Sequence, residues 1–278
     1  MASSLTRRIL TAVLLIPPVV GAIWFGSREV VGLLFGVFVL VAAWEWAGLS
    51  GWRSFGRWFF ILTVVALIGH VLIGGIGPLY RWLPAVSLLW WLIAVVWICA
   101  YERARPVENW FRGPVTRSII GLLMLCPAWI GLLVLHQEPT AGAPLLLTLF
   151  CVVWGADSGA YFAGRTWGRH KLAPRVSPGK TWEGVAGGTI TAMLIAIIAA
   201  WLLDLSTMGT FCFVLLCAAT IPVSVVGDLS ESLFKRQAGV KDSGTLLPGH
   251  GGALDRIDSL CAAAPFFVVG AGLIGGYL

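Results

Sequence analysis

Apolar residues in this chain run in long blocks rather than alternating with polar ones. Nine blocks read as membrane-spanning helices, at 9–25, 30–49, 58–77, 82–101, 118–136, 143–163, 185–204, 208–227 and 259–278. The criterion is that about 20 apolar residues cross the hydrocarbon layer of a bilayer. A membrane β-barrel would show strands of alternating polarity, so it is excluded. Every backbone polar group in lipid must be paired internally, and the predicted fold class is therefore all-α: a polytopic integral membrane protein. Pro17-Pro18 predicts a kink in the first span. Arg7-Arg8 ahead of it resembles a secretory signal, but no A-x-A cleavage site follows and eight more spans do, so the segment reads as retained.

Basic residues orient the spans, because cytoplasmic loops retain lysine and arginine. With the N-terminus inside, 17 of the 19 basic residues fall on the cytoplasmic side, and only Arg28 and Arg81 fall opposite. The bias predicts a cytoplasmic N-terminus and a C-terminus on the other face.

Composition agrees and narrows the class. The chain is 58% hydrophobic and 12% charged, with mean hydropathy +0.89, whereas a soluble domain is about 25% charged. A conventional soluble enzyme and a disordered chain are both excluded. The six cysteines, Cys99, Cys126, Cys151, Cys212, Cys217 and Cys261, lie in apolar blocks without C-x-x-C pairs. They read as packing residues rather than a disulfide or zinc framework. Two regions are expected: 1–117, with about four spans and basic loops, and 118–278, which carries the chemistry.

The longest polar stretches, about 102–117, 164–184 and 228–258, are all predicted on the cytoplasmic side. The first is simply basic and reads as an electrostatic anchor to lipid headgroups. The other two concentrate acids: Asp157, Glu183, Asp228, Glu231, Asp242, Asp255 and Asp258 fall in one window, with only Asp204 besides. An acid in or beside a span is costly unless paired, hydrated or bound to a cation. Asp157 shares a helical stripe with Tyr161, Gly164 and Gly168. That stripe is either a small-residue packing surface or part of a polar site.

Ser177-Pro178-Gly179-Lys180-Thr181-Trp182-Glu183-Gly184 is not a P-loop. The position five before Gly179 is Pro174, and no parallel strand precedes it. It reads as a helix start with Ser177 as N-cap and Pro178 at the first position, aiming backbone N–H groups and Lys180 at an anion. An ordinary capped helix remains the alternative.

Asp255 and Asp258 are three apart, on one face of the start of the last helix. Such carboxylates repel unless a cation or proton lies between them, and their oxygens suit Mg2+. Asp228, ending the eighth helix, could supply a third. Gly249-His250-Gly251-Gly252 reads as a turn able to cradle an anion, ringed by Lys235, Arg236, Lys241 and Arg256. His250 fits a phosphate contact better than a general base, because a phosphate nucleophile is already largely ionised. Carboxylates, basic groups and glycines together describe phosphoryl or nucleotidyl transfer. A solvated, salt-bridged loop is the plainer alternative. Glu45, between Trp44 and Trp46, reads as an interfacial residue in an aromatic belt.

The run Ser232-x-Phe234-Lys235-Arg236, then Lys241-Asp242, then Pro248-x-His250-Gly251-Gly252-x-x-Asp255-Arg256-x-Asp258 resembles the signature of phosphatidate cytidylyltransferases (CDP-diacylglycerol synthases). Trp154, Asp157, Ala160, Tyr161, Gly164, Gly168 and Arg169 agree, as do Ser177 to Gly184. Ala253 departs, where the family has a larger aliphatic residue. The resemblance implies a membrane enzyme, homodimeric, using CTP and phosphatidate as substrates and no nucleic acid, with Mg2+ as cofactor and K+ beside it. It implies Asp228, Asp255 and Asp258 as metal ligands, and Lys235, Arg236 and Arg256 beside them as catalytic residues. It implies substrate contacts at Asp157, Ser177, Lys180, Thr181, Glu183, Ser232, Lys241, Asp242, His250, Gly251 and Gly252. The expected location is a bacterial-type inner membrane, with the active site facing the cytoplasm. The rival readings are a CTP-dependent polyprenol or phytol kinase and, further off, an ion-coupled transporter. No internal symmetry supports the transporter.

Overall fold

The structure, a computed structural model, describes residues 16–53, 55–105, 110–139, 141–244 and 251–277. Helix α1 (Ile16–Phe25) is short and apolar. It is followed by α2 (Arg28–Leu49), α3 (Phe55–Gly74), α4 (Pro78–Glu102), α5 (Pro114–His136) and α6 (Gly142–Trp167). A small hairpin, β1 (Lys171–Ala173) and β2 (Ser177–Thr181), leads into α7 (Trp182–Leu202), α8 (Thr207–Ala238) and α9 (Leu254–Leu273). A 3-10 turn, Gly275–Tyr277, follows. Among the described residues, α2 to α9 give eight helices long and apolar enough to cross a membrane. The protein is an all-α polytopic membrane protein. The first predicted span is described only from residue 16, and the kink expected at Pro17-Pro18 depends on residues before it, outside the described ones.

Helix α5 is the buried axis, with Met124, Leu125, Trp129, Ile130 and Leu133 enclosed among α2, α4 and α9. Helices α6 and α7 pack most closely, for a reason visible in sequence. One stripe of α7 is Gly184, Gly188, Ala192, Ala196 and Ala200, all buried. Small residues at every fourth position let backbones approach where lipid supplies no hydrophobic drive. A Cβ at Gly188 would lie 2.8 Å from the Ala156 carbonyl oxygen of α6. The opposite face exposes Ile190, Leu194, Ile197, Ile198 and Trp201, as a lipid-facing surface does. The Gly164–Gly168 end of the stripe predicted on α6 belongs to this packing: Gly164 meets Thr181 and Gly184.

Helix α8 has 32 residues, about 48 Å at 1.5 Å per residue, against a hydrocarbon core of about 30 Å. It runs ten residues past Asp228 to Ala238, so Asp228 does not end it as the sequence reading expected. Polar side chains on the last turns ended the hydropathy signal, not the helix. Gly239, at φ +71°, stops it, and the amides of Gly239 and Val240 return to Arg236 and Lys235.

The 102–117 stretch is not a simple lipid anchor. Glu102 accepts hydrogen bonds from the amides of Arg175 (3.0 Å) and Val176 (2.9 Å) in the hairpin turn. Arg117 is buried and donates to the Leu49 carbonyl (2.6 Å), the Phe111 carbonyl (3.2 Å) and Gln237 Oε1 (2.9 Å). It thus ties α2, α5 and α8 together. Residues 106–109 lie outside the described ones.

Candidate active site

The acids converge where α8 crosses α9. The approach is close because position 227 is glycine: a Cβ there would sit 2.5 Å from the Asp258 carbonyl oxygen. Asp228, Glu231 and Lys235 follow at helical spacing along α8, and Asp255 and Asp258 open α9. Lys235 Nζ lies 2.6 Å from Glu231 Oε2 and 2.6 Å from Asp255 Oδ1, joining the helices. Asp255 also accepts from the Gly252 amide (2.8 Å), the Ser243 amide (3.1 Å) and the Ser243 hydroxyl (3.0 Å). Asp258 lies within electrostatic reach of Asp228, Glu231 and Lys180.

The hairpin brings the second lysine. Lys180 Nζ is 2.6 Å from Asp228 Oδ2, and Ser232 Oγ is 3.3 Å from Asp228 Oδ1. Asp157 on α6 has Lys180, Asp228 and Arg256 as its charged neighbours. Four elements far apart in sequence therefore place Asp157, Lys180, Asp228, Lys235, Asp255 and Asp258 in one neighbourhood.

The Ser177–Glu183 segment folds differently from expectation. Ser177 and Pro178 are not the N-cap and first position of a helix. They lie in β2, which pairs antiparallel with β1 (Lys171↔Thr181, Ala173↔Ser177). The cap is Thr181, whose Oγ1 accepts from the Gly184 amide (3.1 Å), and Trp182 begins α7. Pairing with β1 extends the chain four residues further than propensity indicated. Glu183 is engaged by His170, with Nδ1 at 2.6 Å and the amide at 3.2 Å, which holds the hairpin to α7. Thr181 and Glu183 thus build the junction that carries Lys180. Arg236 reaches the same hairpin, with Nε 3.4 Å from the Val176 carbonyl.

Lys241 and Asp242 are exposed beyond α8, and Arg256 is exposed on α9. His250, with Gly249 of the predicted anion cradle, lies outside the described residues. Gly251 has φ +81°, and a Cβ at Gly252 would overlap Ser243 Oγ and Glu45 Oε2, so both glycines meet requirements of the turn.

Among the described residues, no group of three or more His, Cys, Asp or Glu converges as a metal-holding cluster. The donor chemistry still suits a hard cation: the carboxylates are all oxygen donors, and Mg2+ needs only one or two of them beside substrate phosphates.

Two acids that the motif reading left without a role belong to this frame. Glu231 is fully buried, and neither of its oxygens receives a well-directed hydrogen bond, although Lys235 sits against one. Its sequence signal was its place one turn from Asp228 and from Lys235. Glu45 is buried rather than interfacial and binds the start of α9. Its neighbours Trp44 and Trp46 masked that role by imitating an aromatic belt.

A helical membrane protein with a lysine-bridged carboxylate cluster at one end of its longest helix is the class these features define. The model of the cytidylyltransferase family matches residues 6–273, and the chain belongs to that family; it is a nucleotidyltransferase. It is 44% identical to a phosphatidate cytidylyltransferase of Pseudomonas aeruginosa over 264 residues, 95% of each chain. It is 38% identical to that of Haemophilus influenzae, over 95% of this chain and 97% of the relative. The Brucella suis enzyme is 36% identical, over 94% and 91%.

Proposed function

We propose that this protein is a phosphatidate cytidylyltransferase, joining CTP and phosphatidate to give CDP-diacylglycerol and pyrophosphate. The observation that carries the reading is the pairing of site carboxylates with lysines, Lys180 with Asp228 and Lys235 with Asp255, at the polar end of a membrane helix. Relatives bearing that activity in their names cover more than nine-tenths of the chain.

In this reaction an oxygen of the lipid phosphate attacks the α-phosphorus of CTP. The bond to the β-phosphate oxygen breaks, and pyrophosphate leaves with the electron pair. The nucleophile is already ionised near neutral pH, so no side chain has to remove a proton. The difficulty is bringing two anions together. Lys180 and Lys235 provide fixed positive charge, pre-oriented by their carboxylate partners, to stabilise charge developing on the leaving group. Arg236, Lys241 and Arg256 add further positive charge for the triphosphate and the lipid headgroup. One or two of Asp228, Asp255 and Asp258 would hold Mg2+ beside substrate phosphates, and when bound it would supply Lewis-acid neutralisation of phosphate oxygens. K+ beside it, a homodimer, a bacterial inner-membrane location and a cytoplasm-facing site complete the reading. The last draws support from the 17-to-2 bias of basic residues.

The test is purified protein given α-labelled CTP with phosphatidate or with a polyprenol. Labelled CDP-diacylglycerol with pyrophosphate is expected from phosphatidate alone. Conversion of CTP to labelled CDP in the polyprenol reaction, with the γ-phosphoryl group passing to the alcohol and no liponucleotide formed, would replace this reading with the lipid-kinase one.

A further inference from the structure

The carboxylate of Glu45, on α2, accepts three hydrogen bonds from the distant end of the chain. They come from Ser243 Oγ at 3.0 Å, the Ala253 amide at 3.1 Å and the Leu254 amide at 2.8 Å. The two amides open α9, and Ala253, its N-cap residue, has no side chain able to cap. A helix start leaves such amides unsatisfied. A Ser or Asp normally supplies the acceptor locally; here a glutamate from another helix does. Its negative charge also faces the positive end of the α9 dipole.

The residue after Leu254 is Asp255, and the two carboxylates share a partner. Ser243 Oγ is 3.0 Å from Glu45 Oε2 and 3.0 Å from Asp255 Oδ2. The hydroxyl has one hydrogen and donates it to one carboxylate at a time, so Ser243 sits between the two acids. Gly252 passes between them, and a Cβ there, or at Gly244, would strike Glu45. The turn before α9 is thus wrapped against Glu45.

We propose that Glu45 is a positioning residue for Asp255. Held in α2, it fixes the turn and first amides of α9, and through them the direction of the Asp255 carboxylate toward Lys235. The proposal rests on the reading of Asp255 as part of the active site.

The experiment uses the full chain in lipid nanodiscs and compares Glu45→Gln, Ser243→Ala and Asp255→Asn with the unsubstituted protein. Glutamine keeps the volume but turns one acceptor into an N–H2 group facing amide donors. Expected for Glu45→Gln are a kcat for CDP-diacylglycerol formation lowered about tenfold or more and a raised KM for CTP. Hydrogen exchange is expected to be faster at Ala253 and Leu254, with α5 still protected. Ser243→Ala, which leaves both amide bonds to Glu45, should give a smaller change of the same kind; if Glu45→Gln does not fold, Glu45→Asp, whose shorter side chain draws the carboxylate back from the Ala253 and Leu254 amides, decides the question by the same kcat, KM and exchange readouts. A merely structural role would lower the active fraction at unchanged KM and raise exchange throughout; that result overturns the proposal. Full turnover in Glu45→Gln beside an inactive Asp255→Asn overturns it while leaving the active-site reading standing. Full turnover in Asp255→Asn removes both.

Discussion

Lys235 is the residue on which the cluster balances. It is the ammonium between a fully buried Glu231 and a nearly buried Asp255. Removing one partner of a buried pair leaves the other charge uncompensated, which costs about 3–5 kcal/mol. Lys235→Met should therefore lower thermal stability, read by tryptophan fluorescence in detergent, and abolish CDP-diacylglycerol formation. Adding Glu231→Gln should restore much of the stability and none of the turnover. Recovery of turnover in the double variant would reduce the lysine to a structural counter-ion.

Two elements owe their placement to single small residues. Alanine is normally about 1 kcal/mol better than glycine in a helix. Gly227→Ala should reverse that sign, because the new Cβ would press on the Asp258 backbone, and overpacking of this kind costs about 1–3 kcal/mol. Its measure is a lowered melting temperature together with reduced turnover, since α8 and α9 must separate where their carboxylates meet. At the hairpin, Thr181→Ala should lose a cap worth about 1 kcal/mol. Ser177→Ala, in β2 rather than at a helix start, should stay within about 0.5 kcal/mol. Equal losses at the two positions would argue that the cap was assigned to the wrong residue.

For the molecule as a whole, the proposed orientation puts Lys180, Lys235 and Lys241 on the cytoplasmic side. In a cysteine-free background, a cysteine placed at the exposed Lys241 should resist a membrane-impermeant maleimide in intact cells and react in inverted vesicles. Labelling from outside would turn the active site toward the wrong compartment for CTP. The N-terminal helices are more than an anchor in this architecture. Glu45 of α2 holds the α9 start, Glu102 of α4 holds the hairpin turn, and Arg117 of α5 ties α2 to α8.

Helix identity was readable from hydropathy alone, because lipid demands that each span satisfy its own backbone and hide its own polarity, and both demands are local. The Asp255–Asp258 spacing and the lysines of the signature run were readable for the same reason: neighbours one turn apart share a face. Helix ends were less legible. α8 outran its apolar block, and β2 displaced a helix start at Ser177, since strand pairing and capping depend on what lies opposite. Which ammonium met which carboxylate could not be read from the chain at all. Lys180 reaches Asp228, and Glu45 reaches Leu254, only after α2, the hairpin, α8 and α9 have packed. A pairing between residues remote along the backbone is a property of distance in space, and one-dimensional spacing carries no information about it.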